Sequence, residues 1–350
     1  MRPPEDRRMY TYRLDEPGEI DGIVRHEAGE PEPGPAQIVV RVHTASLNRR
    51  DLLILQRRYP LPSVPGVIPL SDGAGEVVAV GSAVTRFRPG DRVVGAYWPR
   101  WHDGRLRPEL IDQLGCTLDG MLTEYAVLDE QWAVSVPEHL SWEEAATLPC
   151  AALTAWTSLV GGDPLEPGRT VLTLGTGPVA LFGLQFAKAM GCRVVATTSS
   201  AARAARLREL GADHVIDYTA TPEWWRAVRE ATGGLGADLV VETNGRPTLD
   251  QSVRSAALYG QVVLLSVPTV PAGAPGANLE ISGEAYKNSL ATIRRVFVGS
   301  RADHEAMNRA ISANLLRPVI DRVFGFAEAR EAFAYYRDGA PFGKVVIRVA

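Results

Sequence analysis

The chain has 350 residues, 45% of them hydrophobic and 22% charged, and carries a net charge of −4 at pH 7. That length exceeds what one hydrophobic core usually organises, so two domains are expected, and the acidic balance argues against a nucleic-acid binder. No apolar run reaches the length of a membrane span, and the charged start MRPPEDRRMY lacks the apolar stretch of a secretion signal.

Up to about residue 150 the sequence reads as strands punctuated by Pro and Gly. MYTYRL (9–14), QIVVRVHTA (37–45), GAGEVVAVG (73–81) and DRVVGAY (91–97) are the clearest, several of them alternating with period two. From about residue 152 the rhythm becomes strand, helix, strand, helix. TVLTL (170–174) precedes a helix over 178–190, with Val179, Phe182, Phe186 and Met190 on one face. RVVAT (193–197), a helix over 201–210, HVID (214–217), a helix over 222–231 and ADLVV (237–241) continue the series. A helix near 248–257, the strand QVVLLSV (261–267), a helix near 283–290 and the strand TIRRVFVG (292–299) complete it.

Strands and helices in strict alternation predict an α/β domain with a doubly wound parallel sheet of the Rossmann type over 152–299. The tail holds helices over 303–313 and 326–338 and one strand, GKVVIRV (343–349). A single strand cannot stand alone, so this one is expected to return to the N-terminal β domain. The Rossmann domain is then an insertion in a discontinuous β domain built from 1–151 and 300–350.

Gly175-Thr176-Gly177-Pro178-Val179-Ala180 fits the G-x-G-x-x-G/A pattern where strand 170–174 meets helix 178–190. The first Gly permits a tight turn, and the second lets the backbone approach a pyrophosphate. A small residue at 180 lets helix and strand pack closely. Pro178 suits a first helical turn, whose free N–H groups and positive dipole end attract phosphate. The bare pattern also fits a structural turn. Its position at the head of the alternating series favours a dinucleotide, with Gly175, Gly177, Pro178 and Val179 at the pyrophosphate.

The second strand of the series ends in Ala196-Thr197-Thr198-Ser199-Ser200, without the carboxylate that would bind the adenosine ribose of NAD, and Arg203 follows. A carboxylate about 5 Å from a 2′-phosphate would cost about 3 kcal/mol per unit charge at an effective dielectric near 20. Hydroxyls and a guanidinium there favour NADPH over NADH, with Thr198, Ser199, Ser200 and Arg203 around the 2′-phosphate. The alternative is that Ser200 caps a helix and Arg203 is solvated.

HTASLNRRDLLI (43–54), GAGEVVAVGSAVTRFRPGDRVVG (73–95), DGMLTEYAVLDE (119–130), EEAATLPCAALTAWTSL (143–159), GADHVIDY (211–218), VFVGSRADHEAMNRAI (296–311) and FGKVVIRV (342–349) resemble the zinc-type alcohol dehydrogenase and quinone reductase superfamily of medium-chain dehydrogenases/reductases. The resemblance runs from about residue 10 to the end. It implies a GroES-like β domain carrying the inserted Rossmann domain, with the active site where they meet. It also implies that Tyr218 packs near the adenosine end and that Thr154, Ser266 and Val267 lie beside the nicotinamide.

In zinc-using members of the family, two cysteines and a Gly-His-Glu histidine hold the metal. The matching positions here are Asn48, Ser71 and Cys150. One thiolate does not make a site that needs about three protein ligands, and Cys150 also reads as a small buried residue. The four-cysteine structural zinc lobe is replaced by residues 98–120 with Cys116 alone. The six histidines include no pair at metal-binding helical spacing, so no metal is expected. Three scattered cysteines suit no disulfide framework, which points to the cytoplasm.

The Asn48-Arg49-Arg50-Asp51 run resembles zinc-free quinone and enone reductases, which implies that Asn48 lies near nicotinamide and substrate, buttressed by Asp51. Tyr59 matches a tyrosine lining the substrate site in some of these enzymes. Asn48 could instead be an ordinary turn residue and Tyr59 a loop-packing one. Hydride transfer to a carbonyl charges an oxygen that zinc would stabilise. Hydrogen-bond donors alone suit a conjugated acceptor, so the expected substrate is a quinone or an α,β-unsaturated carbonyl. Zinc-free alcohol or carbonyl oxidoreduction remains an alternative, as does NADP binding without redox chemistry. The apolar edge of strand 292–299 predicts a homodimer, as in relatives of this type.

Overall fold

The computed structural model describes residues 8–265 and 278–350, so Ser266 and Val267 lie outside the described residues. The chain divides into two compact units, Met1–Leu153 with Gly299–Ala350, and Thr154–Val298.

The first unit contains β1 (Arg8–Leu14), β2 (Ile23–Gly29), β3 (Gln37–Ser46), β4 (Asp72–Val80), β5 (Arg92–Gly95), β6 (Tyr125–Asp129) and β7 (Ala133–Ser135). The second contributes β8 (Thr170–Leu174), β9 (Arg193–Thr198), β10 (His214–Asp217), β11 (Ala237–Glu242), β12 (Ala256–Leu264) and β13 (Thr292–Arg295). β14 (Ile320–Gly325) and β15 (Lys344–Arg348) bring the chain back to the first unit.

β3 is the axis of the first unit. β4 pairs with it along most of its length, β6 pairs with its first half (Gln37–Arg41), and β15 pairs with Thr44–Ser46. Because neighbours and covering elements bury both its faces, β3 reads as an apolar run rather than a clean alternation. Ile38, Val40 and Val42 meet Val77, Val93, Val345 and Ile347 in the core. The final strand does return to the N-terminal sheet, antiparallel to β3. β14, which the sequence pattern did not disclose, lies parallel to β15 at the sheet's edge, where Arg322 and Val323 are exposed and period-two patterning is weak.

The second unit is a six-stranded parallel sheet in the order β10-β9-β8-β11-β12-β13, the doubly wound order with its reversal between β8 and β11. β8 is buried along its whole length, and helix Pro178–Ala189 packs against it. The expected single apolar face of that helix understates its burial. Ala180, Leu181, Phe182, Gly183, Leu184, Phe186 and Ala187 are all buried, with Trp156 edge-on to Phe186 at 5.5 Å. β13 stops at Arg295, four residues short of the expected end at 299, and Val298 adopts a φ of 61°, which a β-branched residue rarely does. Among the described residues, no helix is long and apolar enough to cross a membrane.

Candidate active site

In the first unit, strand register assembles the candidate site. Ser46 of β3 faces Asp72 of β4 on one side and Val346 of β15 on the other. Two residues on from each side of the β3–β15 pair, Asn48 and Lys344 meet. The fully buried Lys344 ammonium donates to the Asn48 Oδ1 and the Leu47 carbonyl, both at 2.8 Å, and lies 3.3 Å from Asp72 Oδ2.

An ammonium only donates, so it fixes which atom of the Asn48 amide faces it. The Asn48 Nδ2 then points elsewhere, and it is buried without a hydrogen-bond partner among the described residues. Asn48 begins helix Arg49–Leu55 in extended conformation, and Asp51 Oδ2 accepts from its backbone N–H at 2.8 Å. Asp51 thus supports Asn48 through the main chain, not through the amide. Burial pushes the Asp51 carboxyl up to about 6 against the opposing pull of Arg50.

A second cluster surrounds Arg50. Its guanidinium donates to the Leu114 carbonyl at 3.0 Å and to Gln113 Oε1 at 3.1 Å, beneath the rings of Tyr59 and Tyr97. Gln113 Oε1 also accepts from Tyr59 at 2.8 Å and from Tyr97 at 3.2 Å, and the two phenol oxygens are 3.0 Å apart. Burial raises both phenols, so they remain protonated donors at neutral pH. With Oε1 committed to three donors, Gln113 Nε2 is a second buried amide nitrogen without a partner among the described residues.

The positions that match zinc ligands in the resemblance are otherwise engaged. Asn48 Oδ1 holds Lys344, and the Ser71 hydroxyl donates to Asp72 Oδ1 at 2.8 Å. Cys150, on the π-helical turn Leu148–Ala152, has its thiol pushed up by burial and by the nearby Asp72. Leu70, just before Ser71, is fully buried at a φ of 70°, a strained conformation beside the cluster. Among the described residues, no group of three or more His, Cys, Asp or Glu side chains could hold a metal ion.

In the second unit, Gly175 turns the chain out of β8 at a φ of 79°, and its N–H reaches both the carbonyl and the hydroxyl of Thr197 at 3.1 Å. Gly177 is the extended residue before helix Pro178–Ala189, whose first N–H groups lack helical acceptors. A Cβ added at Gly175 or Gly177 would meet nothing within 4 Å, so this face of the turn is open. The turn therefore has the conformation and the room that a dinucleotide pyrophosphate requires.

Arg203 reaches back from helix Ala201–Glu209, and its Nη1 donates to Thr176 Oγ1 at 3.2 Å. Ser200 caps the same helix by accepting from the Arg203 N–H at 3.4 Å, so the capping alternative holds alongside the guanidinium's approach to the turn. Ser199 is exposed, and the exposed Tyr218 donates its N–H to the Thr198 carbonyl at 3.1 Å. Thr176, Thr198, Ser199, Ser200, Arg203 and Tyr218 thus gather at the carboxyl ends of β8, β9 and β10. Thr154 lies near the start of helix Leu153–Val160, where its carbonyl accepts from the Ser158 hydroxyl at 2.7 Å, and Pro178 and Val179 open helix Pro178–Ala189.

Sequence reading missed Lys344, Asp72 and Gln113. Lys344 lies 296 positions from Asn48, and only strand register joins them. One signal was present: Lys344 is one of only three lysines in a chain rich in arginine, and it heads an apolar strand. A compact ammonium fits a pocket that a planar guanidinium would not.

Two family profiles match the chain, an alcohol dehydrogenase GroES-like domain over residues 34–138 and a zinc-binding dehydrogenase over residues 178–313. A zinc-type alcohol dehydrogenase-like protein of Schizosaccharomyces pombe is 40% identical over 90% of this chain and 91% of its own. A quinone oxidoreductase of Pseudomonas aeruginosa is 33% identical over 86% and 87% of the two chains. A crystal structure from Sinorhizobium meliloti 1021, provisionally described as an alcohol dehydrogenase, superposes with a TM-score of 0.90 at 38% identity, covering 98% and 99%.

Proposed function

Because the chain belongs to the medium-chain dehydrogenase/reductase superfamily, an oxidoreductase family, we propose that it is an NADPH-dependent, zinc-independent reductase of conjugated acceptors, a quinone or an α,β-unsaturated carbonyl. The observation that carries this reading is the Asn48 amide nitrogen, buried, without a hydrogen-bond partner among the described residues and held in one orientation. Such a donor suits an oxygen that gains charge during reaction, because its reorganisation is already complete.

The donor set is a poor fit for zinc. Its amide oxygen holds an ammonium, its hydroxyl donates to a carboxylate, and it offers a single cysteine, fewer than the three protein ligands a catalytic zinc needs. A cation already fills the space next to Asn48 and Asp72, and a metal beside it would be repelled. A neutral N–H donor without a Lewis acid stabilises a simple alkoxide weakly. It suits better an enolate or quinol oxygen, over which the charge is spread.

In this reading the second unit binds the dinucleotide at Gly175, Gly177, Pro178 and Val179. Thr198, Ser199, Ser200 and Arg203 receive the 2′-phosphate, and Tyr218 covers the adenosine. Bound NADPH supplies the hydride. The first unit polarises the acceptor through Asn48, with Asp51 fixing the helix start and Tyr59 bordering the acceptor. We further propose a homodimer through the β13 edge and a cytoplasmic location. The alcohol dehydrogenase names of two relatives favour a second reading, reversible carbonyl reduction on the same residues.

The test is NADPH oxidation by the purified protein against matched quinones, enones and saturated ketones. Turnover of quinones or enones with little of the ketones supports the proposal. Preference for ketones favours the second reading, and turnover of none overturns both.

A further inference from the structure

Resting on that reading of Asn48, we infer that Lys344 is a positioning residue for the reaction: its buried ammonium locks the Asn48 amide so that Nδ2, and not Oδ1, is offered to the acceptor oxygen. An asparagine amide presents an acceptor and a donor of nearly equal shape, and rotation by half a turn exchanges them. Only the donor helps an oxygen that gains negative charge. If Oδ1 faced the substrate instead, like charges would oppose the reaction.

The environment of Asn48 leaves one arrangement. Lys344 Nζ has donors and no acceptor, and two of its contacts, Leu47 O and Asn48 Oδ1, are 2.8 Å away. Asp72 holds the ammonium from the opposite strand at 3.3 Å and is itself held by Ser71. Leu47, Asn48, Asp72 and Lys344 are all buried, so water does not compete for these bonds. Turning the Asn48 amide over would set its NH2 group against the ammonium and leave a charged group short of an acceptor. Burying an ammonium is costly, and the chain holds it with two oxygen acceptors and one carboxylate. The apolar residues that follow it in β15 would suit a plain strand start better.

The test is a double-mutant cycle in the full-length protein, with kcat and KM for the best quinone or enone, NADPH affinity by fluorescence, and thermal stability. Asn48→Ala is expected to lower kcat roughly a hundredfold, the usual loss of one preorganised donor. Lys344→Met is expected to lower kcat comparably while leaving NADPH affinity unchanged. In the Asn48→Ala background, Lys344→Met should change kcat by less than about threefold, because the residue acts through the amide it positions. Multiplicative losses, or normal turnover by Lys344→Met, would overturn the inference.

If Lys344→Met gives no soluble protein, the cycle is run with Lys344→Gln, whose amide offers both a donor and an acceptor and so no longer fixes one orientation of Asn48, and the same criterion applies. Asn48→Asp completes the set. It keeps an oxygen for Lys344 and loses the N–H, so it should fold normally and lose turnover. If Asn48→Ala and Asn48→Asp both retain turnover, the donor reading of Asn48 fails and takes the inference with it. If they lose turnover while Lys344→Met retains it, only the inference fails.

Discussion

Arg203 and His304 show how differently single residues disclose themselves. Arg203 follows the end of β9 within a few positions, so its place near that strand end was readable from sequence, while its reach to Thr176 was not. Its guanidinium lies 3.2 Å from Thr176 Oγ1. Arg203→Ala should weaken NADPH binding while sparing NADH, narrowing the preference by roughly tenfold or more, the value of one charge-assisted contact. Equal effects on both cofactors would remove Arg203 from the 2′-phosphate. His304 gave no sign in sequence. It is fully buried on helix Arg301–Asn314 with neither ring nitrogen partnered among the described residues, and burial lowers its pKa to about 3 from 6.5. The unfolded chain takes up this proton below 6.5 and the folded protein does not, so its contribution to stability falls as pH drops from 6.5 towards 3. Asp51 works the other way. Its folded carboxyl, at about 6, takes up a proton before the unfolded one at 3.8, which adds stability as pH falls through that window. Comparing the protein with His304→Leu separates the two effects. The variant should gain on the parent by about 1.4 kcal/mol for each pH unit below 6.5, read from denaturant midpoints at pH 7, 6 and 5. A difference that does not change with pH would contradict this.

Elements were legible wherever one local pattern decided them. The strand–turn–helix at 170–189 carries its own glycines, its proline and its apolar residues, and no distant partner is needed to define it. Helix Arg301–Asn314 begins two residues before its apolar pattern because Ser300 and Asp303 cap it reciprocally, a spacing present in the sequence. β14 was lost because an edge strand with exposed Arg322 and Val323 has little apolar rhythm. β13 was drawn too long, since Val296, Phe297 and Val298 look like strand residues while the backbone has already left the sheet. What remains is a short edge with Ile293 and, just beyond it, Phe297 about 40% exposed. Such an edge invites pairing. Sedimentation at micromolar concentration should give a dimer mass for the parent and a monomer for Ile293→Glu, whose charge would lie in the paired edge. A monomeric parent would contradict the proposed assembly.

At the scale of the whole chain, the return of the last strand to the N-terminal sheet was legible from GKVVIRV, for which the sequence pattern showed no partner in the tail, although β14 does pair with it there. The reason is topological: that strand must find a sheet, and the one left incomplete is N-terminal. The same return of β15 beside β3 carries Lys344 to Asn48, which periodicity and motif could not disclose because they describe neighbours in sequence. The candidate site is thus made by long-range register, which brings the Lys344 ammonium to the Asn48 amide. In the proposed function, this site directs hydride to a conjugated carbon without zinc. The most direct test uses protein whose zinc content has been measured and brought well below one per chain, NADPH carrying deuterium at the transferring position, and an α,β-unsaturated ketone. Product analysis by NMR should find deuterium on the carbon β to the carbonyl, at a rate unchanged by chelator. Deuterium on the carbonyl carbon, or turnover that appears only after zinc is restored, would contradict it.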